Sequence, residues 1–139
     1  MEREILFRGK TSFGAWVYGD LVHDAFNGTS QRIEVGIRAR NSYPVEVIPE
    51  TVGQFTGLTD KNGVRIFEGD VIKTLLPKCS FWGYDKDIWK TGAVKYEEDY
   101  GSFIYEWEYS KNQHHETLTC DAAFLGEVIG NIHDKKQEE

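Results

Sequence analysis

FTGLTDKNGVRIFEGDVIKT, from Phe55 to Thr74, is the stretch on which the reading of the fold turns. It opens on Phe-x-Gly and enters Asp60-Lys61-Asn62-Gly63, where Asn-Gly signals a hairpin because both residues accept positive φ at little cost. An apolar pair, Gly69-Asp70 and two aliphatics follow. The same order stands earlier in FRGKTSFGAWVYGDLVHD, from Phe7 to Asp24, with a turn ending in Gly14 and a Gly19-Asp20 step. The offset grows from 48 residues at Phe7/Phe55 to 50 at Gly19/Gly69, and the two extra residues are assigned to the turn Asp60–Gly63. Each Gly-Asp step reads as a tight turn whose aspartate accepts a backbone hydrogen bond, launching Leu21-Val22 and Val71-Ile72 as strands. Two matched hairpins predict a mainly β fold, a small SH3-like barrel or roll.

The flanking sequence adds strands. In Arg32–Arg40, Ile33, Val35, Ile37 and Ala39 alternate with Arg32, Glu34, Gly36, Arg38 and Arg40, the period of a half-buried strand. In Phe103–Tyr109, Phe103, Tyr105, Trp107 and Tyr109 share one face while Ile104, Glu106 and Glu108 share the other. With Ala93–Tyr96 and the turn Asp99-Tyr100-Gly101-Ser102, this predicts an additional hairpin. The aromatic row can be core, subunit interface or a platform for stacked bases. Pro77–Lys90 shows no sustained period and reads as a loop or irregular hairpin carrying aromatics. At most one short helix is expected, at Thr119–Leu125, stopped by Gly126. No linker divides the chain, so residues 1–134 are expected to form one domain and 135–139 a frayed tail.

The chain has 139 residues and a net charge of -7. Residues 1–40 sum to +1, 41–80 to -1 and 81–139 to -7, so the acidic excess belongs to the last segment. Bulk attraction to nucleic acid is disfavoured. The longest apolar runs fall far short of the roughly 20 residues that cross a bilayer, and MEREILFRGK is not expected to act as a signal peptide. Cys79 and Cys120 fit two free thiols in a reducing cytoplasm.

Motifs for chemistry are weak. Glu106 and Glu108 would sit about 6.5–7 Å apart along a strand, a spacing compatible with paired carboxylates, yet nothing in the sequence buries either one. His114 and His115 alternate faces in a strand, and His23-Asp24 and His133-Asp134 are isolated pairs. Neither GxxxxGK[ST] nor a strand-preceded GxGxxG occurs. No catalytic residue, metal or cofactor is expected. The candidate binding residues are the aromatics Trp82, Tyr84 and Trp89, the acidic Glu97, Glu98, Glu106 and Glu108, and the basic face Arg32, Arg38 and Arg40.

EILFRGK at Glu4–Lys10, AWVYGDLVHD at Ala15–Asp24, PETVGQFTGLTDKNGVRIFEGDVIK at Pro49–Lys73 and EVIGNIHD at Glu127–Asp134 resemble the YopX family of phage and prophage proteins. Residues 75–124 carry no matching pattern. The resemblance implies a mainly β protein with an SH3-like barrel, encoded by a phage, located in the bacterial host cytoplasm and self-associating. It brings no activity. The expected function is a non-enzymatic binding module for a host or phage protein. The alternatives are a nucleic-acid binder using Arg32, Arg38 and Arg40, and an acidic DNA mimic that inhibits a host enzyme.

Overall fold

A computed structural model describes residues 4–28, 31–76, 88–109, 112–119, 123 and 126–134. The chain divides into two compact units, Met1–Gly57 and Leu58–Glu139.

In the first unit, β1 (Phe7–Lys10), β2 (Trp16–Phe26), β3 (Arg32–Arg38) and β4 (Val45–Glu46) are followed by a 3₁₀ turn (Pro49–Thr51) and β5 (Gly53–Thr59), which runs on into the second unit. The order is β4-β3-β2-β1-β5, with antiparallel pairing throughout. The alternation read in Arg32–Arg40 is present: Ile33 and Ile37 are buried, and Arg32, Glu34 and Arg38 are exposed. The strand stops two residues early, at Arg38, because Asn41 adopts φ 62° and the Ser42 N–H donates to the Ala39 carbonyl at 3.1 Å, turning the chain.

In the second unit, β6 (Arg65–Phe67) neighbours β5 and is followed by β7 (Asp70–Leu76), β8 (Ile88–Glu97), β9 (Ser102–Tyr109), β10 (Asn112–Thr117) and β11 (Glu127–Asn131). The last five form an antiparallel sheet in the order β10-β9-β8-β7-β11. Its core comprises Ile66, Ile72, Val94, Tyr105, Trp107, Leu118 and Ala123. Full burial of an aliphatic side chain contributes about 1.5–3 kcal/mol. The fold is mainly β, as expected, but the described strands form two antiparallel sheets and no closed barrel. Closure would require the outermost strands β10 and β11 to pair, and among the described residues they pair with β9 and β7 alone.

The two echoing stretches share one turn. Thr11 N–H donates to Ala15 O (2.9 Å) and Gly14 N–H to Thr11 O (2.9 Å), while Asp60 N–H donates to Val64 O (2.8 Å) and Gly63 N–H to Asp60 O (3.0 Å). Gly14 and Gly63 hold φ of 87° and 80°, the left-handed region that favours glycine. The turns are equal in length, so the extra residues lie on either side of the second turn and not within it. The Gly-Asp steps differ too. Gly69-Asp70 is a turn in which Asp70 Oδ2 accepts the Phe67 N–H at 2.8 Å, leading the chain from β6 into β7. Gly19-Asp20 lies inside β2, where a Cβ on Gly19 would come within 2.3 Å of the Arg38 carbonyl oxygen. The first copy therefore continues as one strand where the second breaks.

Of the helix expected at Thr119–Leu125, the described part is an Ala123 N–H to Thr119 carbonyl bond of 3.0 Å; residues 120–122 and 124–125 lie outside the described residues. Ile88–Lys90, read as loop, belong to β8, while 77–87 lie outside the described residues. The tail 135–139 and both cysteines lie outside as well.

Asp60 joins distant parts of the second unit. Its Oδ1 accepts the N–H groups of Asn62 (2.8 Å) and Val64 (2.9 Å), and its Oδ2 accepts that of Val128 on β11 (2.9 Å). Burial pushes the carboxyl upward in pKa, but the bonds from Val128, Val64 and Asn62, with the nearby Lys61 charge, outweigh it and hold the group below its ordinary value. Because the folded value is depressed, this contribution is complete above about pH 4 and is lost as pH falls through the folded value. Asp60→Asn should cost about 2–3 kcal/mol, since its amide cannot accept from Val128 and from the turn together. Urea unfolding at neutral pH checks the cost, and the gap between the two proteins should narrow on acidification.

Candidate functional site

The aromatic row on β9 is core over its described side chains. Tyr105 and Trp107 are 2% and 6% exposed, with ring centroids 5.4 Å apart and planes at 27°. Phe103 packs against the same core, and the Tyr109 side chain lies outside the described set. Lys90 is inserted among these rings. Its ammonium lies 3.8 Å from the Trp107 centroid and 4.9 Å from that of Tyr105. Glu116 Oε2 completes the group, 3.2 Å from Lys90 Nζ and accepting the Tyr105 hydroxyl at 2.9 Å. Burial lowers the Lys90 pKa, partly countered by Glu116. Burial, reinforced by Glu116, raises that of Tyr105.

A lysine of depressed basicity beside a carboxylate is a reactive arrangement when a substrate can reach it. Here the Lys90 side chain is only 4% exposed, and its ammonium is held between rings and a carboxylate. The group is a satisfied buried cation, in which removing one partner is costly. Sequence reading missed it. The signal was available in the parity of β8, since Lys90 shares a face with Gly92 and Val94, both buried.

Beyond this core, β8 and β9 project a hairpin tip. Glu97 pairs with Ser102, and the turn is closed by Gly101 N–H donating to the Glu97 carbonyl at 2.9 Å. Glu98, Asp99, Tyr96 and Tyr100 are exposed and Glu97 is half-buried. Tyr96 meets Phe103 edge to face, and Tyr100 stacks on His115 of β10 with its hydroxyl 3.0 Å from Nε2. Lys95 Nζ is 2.6 Å from Glu106 Oε1 and 3.6 Å from Glu97 Oε2. The Glu106 hydrogen bond heads the causes that hold the Lys95 ammonium above its ordinary pKa. Of the acidic candidates, Glu97, Glu98 and Glu106 thus share this hairpin. Glu108 lies further along β9, and its side chain falls outside the described set.

The remaining candidates separate. Trp89 is exposed on β8, with Lys73 Nζ 5.6 Å from its ring centroid, whereas Trp82 and Tyr84 lie outside the described residues. The arginine face divides. Arg32 is bound to Asp24 by a charged hydrogen bond, which raises its pKa. Arg38 and Arg40 have no ion-pair partner among the described residues, and both line an open cleft of about 870 Å³. Tyr18, Asp20, Asn41 and Tyr43 line the same cleft, and no sequence period connects them to the arginines. Among the described residues, no group of three or more His, Cys, Asp or Glu side chains could hold a metal ion.

Tyr105 offers a direct check on the buried cluster. Its phenolic proton, held above the ordinary value, should leave only as the chain unfolds, so Tyr105→Phe should remove the last-titrating component of phenolate absorbance. Phenolate absorbance from Tyr105 at its ordinary pH in the folded protein would contradict the arrangement.

Comparison with curated proteins finds no match. A family model described as YopX protein matches residues 6–137, nearly the whole chain and including the stretch in which sequence reading recognised no pattern. The chain belongs to the YopX protein family.

Proposed function

We propose that this protein is a non-enzymatic binding module whose partner presents a basic protein surface to the β8–β9 hairpin tip. The carrying observation is the sequence Tyr96-Glu97-Glu98-Asp99-Tyr100 at that tip, with both tyrosines, Glu98 and Asp99 exposed. Three consecutive carboxylates whose one ion-pair partner among the described residues is Lys95 favour a cationic partner and its steering in solution. The flanking tyrosines offer amphipathic area at low entropic cost, and their ring faces attract guanidinium and ammonium groups. Anchorage of the hairpin base supports the reading, because a surface held in place loses less entropy on binding.

The non-enzymatic part rests on how the second unit uses its polar side chains. Asp60, Lys90 and Tyr105, whose proton affinities are shifted, are engaged in bonds that hold strands together. Membership of the family, with its phage and prophage resemblance, supports a phage-encoded protein acting in the host cytoplasm on a host or phage protein.

Isothermal titration with a synthetic lysine- and arginine-rich peptide tests this reading. Binding should weaken with salt, and E97K/E98K/D99K should lose roughly tenfold or more in affinity, as expected for the removal of several attractive charges. Glu46→Lys, on β4 of the first unit, should leave affinity unchanged. Equal binding by wild type and the triple variant would overturn the assignment.

A further inference from the structure

The cleft of the first unit carries a charged lining opposite in sign to that of the hairpin tip, and the two readings share no residue. Its volume of about 870 Å³ falls within the range of small-molecule sites, although it is open to solvent. Its charged lining consists of Arg38, Arg40 and Asp20. Both arginines are exposed and lack an ion-pair partner among the described residues, in contrast to Arg32, which is tied to Asp24. In a chain of net charge -7, a cleft whose charged lining sums to +1, two guanidinium groups against the one carboxylate of Asp20, has a local preference for anions.

The aromatic lining narrows the class of anion. Tyr43 is 71% exposed and presents ring surface to whatever enters. A base can stack on such a ring in any sequence context, while guanidinium groups take the phosphates. The local backbone fixes the geometry. Asn41 in the left-handed region and the Ser42-to-Ala39 hydrogen bond define the turn that carries Arg40 and leads to Tyr43. Arg38 ends β3, opposite Asp20 of β2, so one arginine stands on the sheet and the other on the turn.

We infer that this cleft binds single-stranded nucleic acid, with phosphates at Arg38 and Arg40 and a base against Tyr43. The open shape favours a strand that passes through over an enclosed mononucleotide. Because every base has a stacking face, binding tolerates any sequence.

Fluorescence anisotropy with a labelled oligothymidylate at low salt is the test. The oligomer should bind, with log affinity falling against log salt at a slope of about -1.4 for two phosphates on a single strand. R38E/R40E should reduce affinity roughly tenfold or more, and Tyr43→Ala by roughly five- to a hundredfold. Arg32→Glu, outside the cleft, should change it by no more than roughly twofold. The substituted residues are exposed, and circular dichroism confirms that each variant folds. Competition separates the sources of the phosphate. Failure of thymidine monophosphate to displace the oligomer supports the strand assignment, whereas equal affinity for the two overturns it. No binding at low salt, undiminished binding by R38E/R40E, or a preference for duplex would also overturn the inference.

Discussion

The Asp60 carboxylate is the constraint on which the second unit depends. Residues 60, 62 and 64 belong to one tight turn, while Val128 lies on a strand reached only after β7, β8, β9 and β10. One side chain with two acceptor oxygens satisfies N–H groups from both. Lys61 reinforces the junction, donating its N–H to the Gly126 carbonyl at 3.0 Å and placing its ammonium 3.7 Å from Glu127. The exposed ion pair contributes little, so the buried carboxylate dominates. With β11 held in this way, Val128 pairs with Ile72, one of the least exposed residues of the core.

From that core, order passes outward along β8. The strand has Lys90 among aromatic rings near one end and the acidic turn at the other, so the elements that bury the cation also position the tip. Tyr100 on His115 adds a tie to β10. The first unit follows a similar logic with different chemistry. Thr11 occupies the position that Asp60 holds in the second turn, and among the described residues its hydroxyl accepts the Ala15 N–H alone. A neutral hydroxyl can close a local turn, whereas an ionised carboxylate has lone pairs enough to bind a second segment as well.

Much of the strand pattern was legible because alternation is a local property. Arg32–Arg38 shows it directly, β9 shows it in the shared buried face of Tyr105 and Trp107 although Ile104 opposite is buried too, and Gly63 and Gly101 marked their turns. The division into two sheets was not legible, because it depends on whether a Gly-Asp step turns the chain. Gly69 does, whereas Gly19 serves close approach of the Arg38 backbone, and the residue types are identical. The site residues divide on the same principle. The acidic tip is contiguous in sequence and was anticipated. The cleft draws Tyr18 from β2, Arg38 from β3 and Tyr43 from the turn beyond it, a grouping created by strand pairing alone. Lys90 was overlooked because a charged residue in an aperiodic stretch reads as loop, although strand parity placed it inward.

Native-state hydrogen exchange tests the dependence on Asp60 most directly. The amides of Asn62, Val64 and Val128 should be protected in the wild type. In Asp60→Asn, whose one amide oxygen can still accept from the turn, Val128 should lose protection beyond the lowered global stability, while Tyr105 and Val94 in the core keep theirs relative to it. A Val128 amide that exchanges in the wild type as fast as an unstructured terminus would contradict the account.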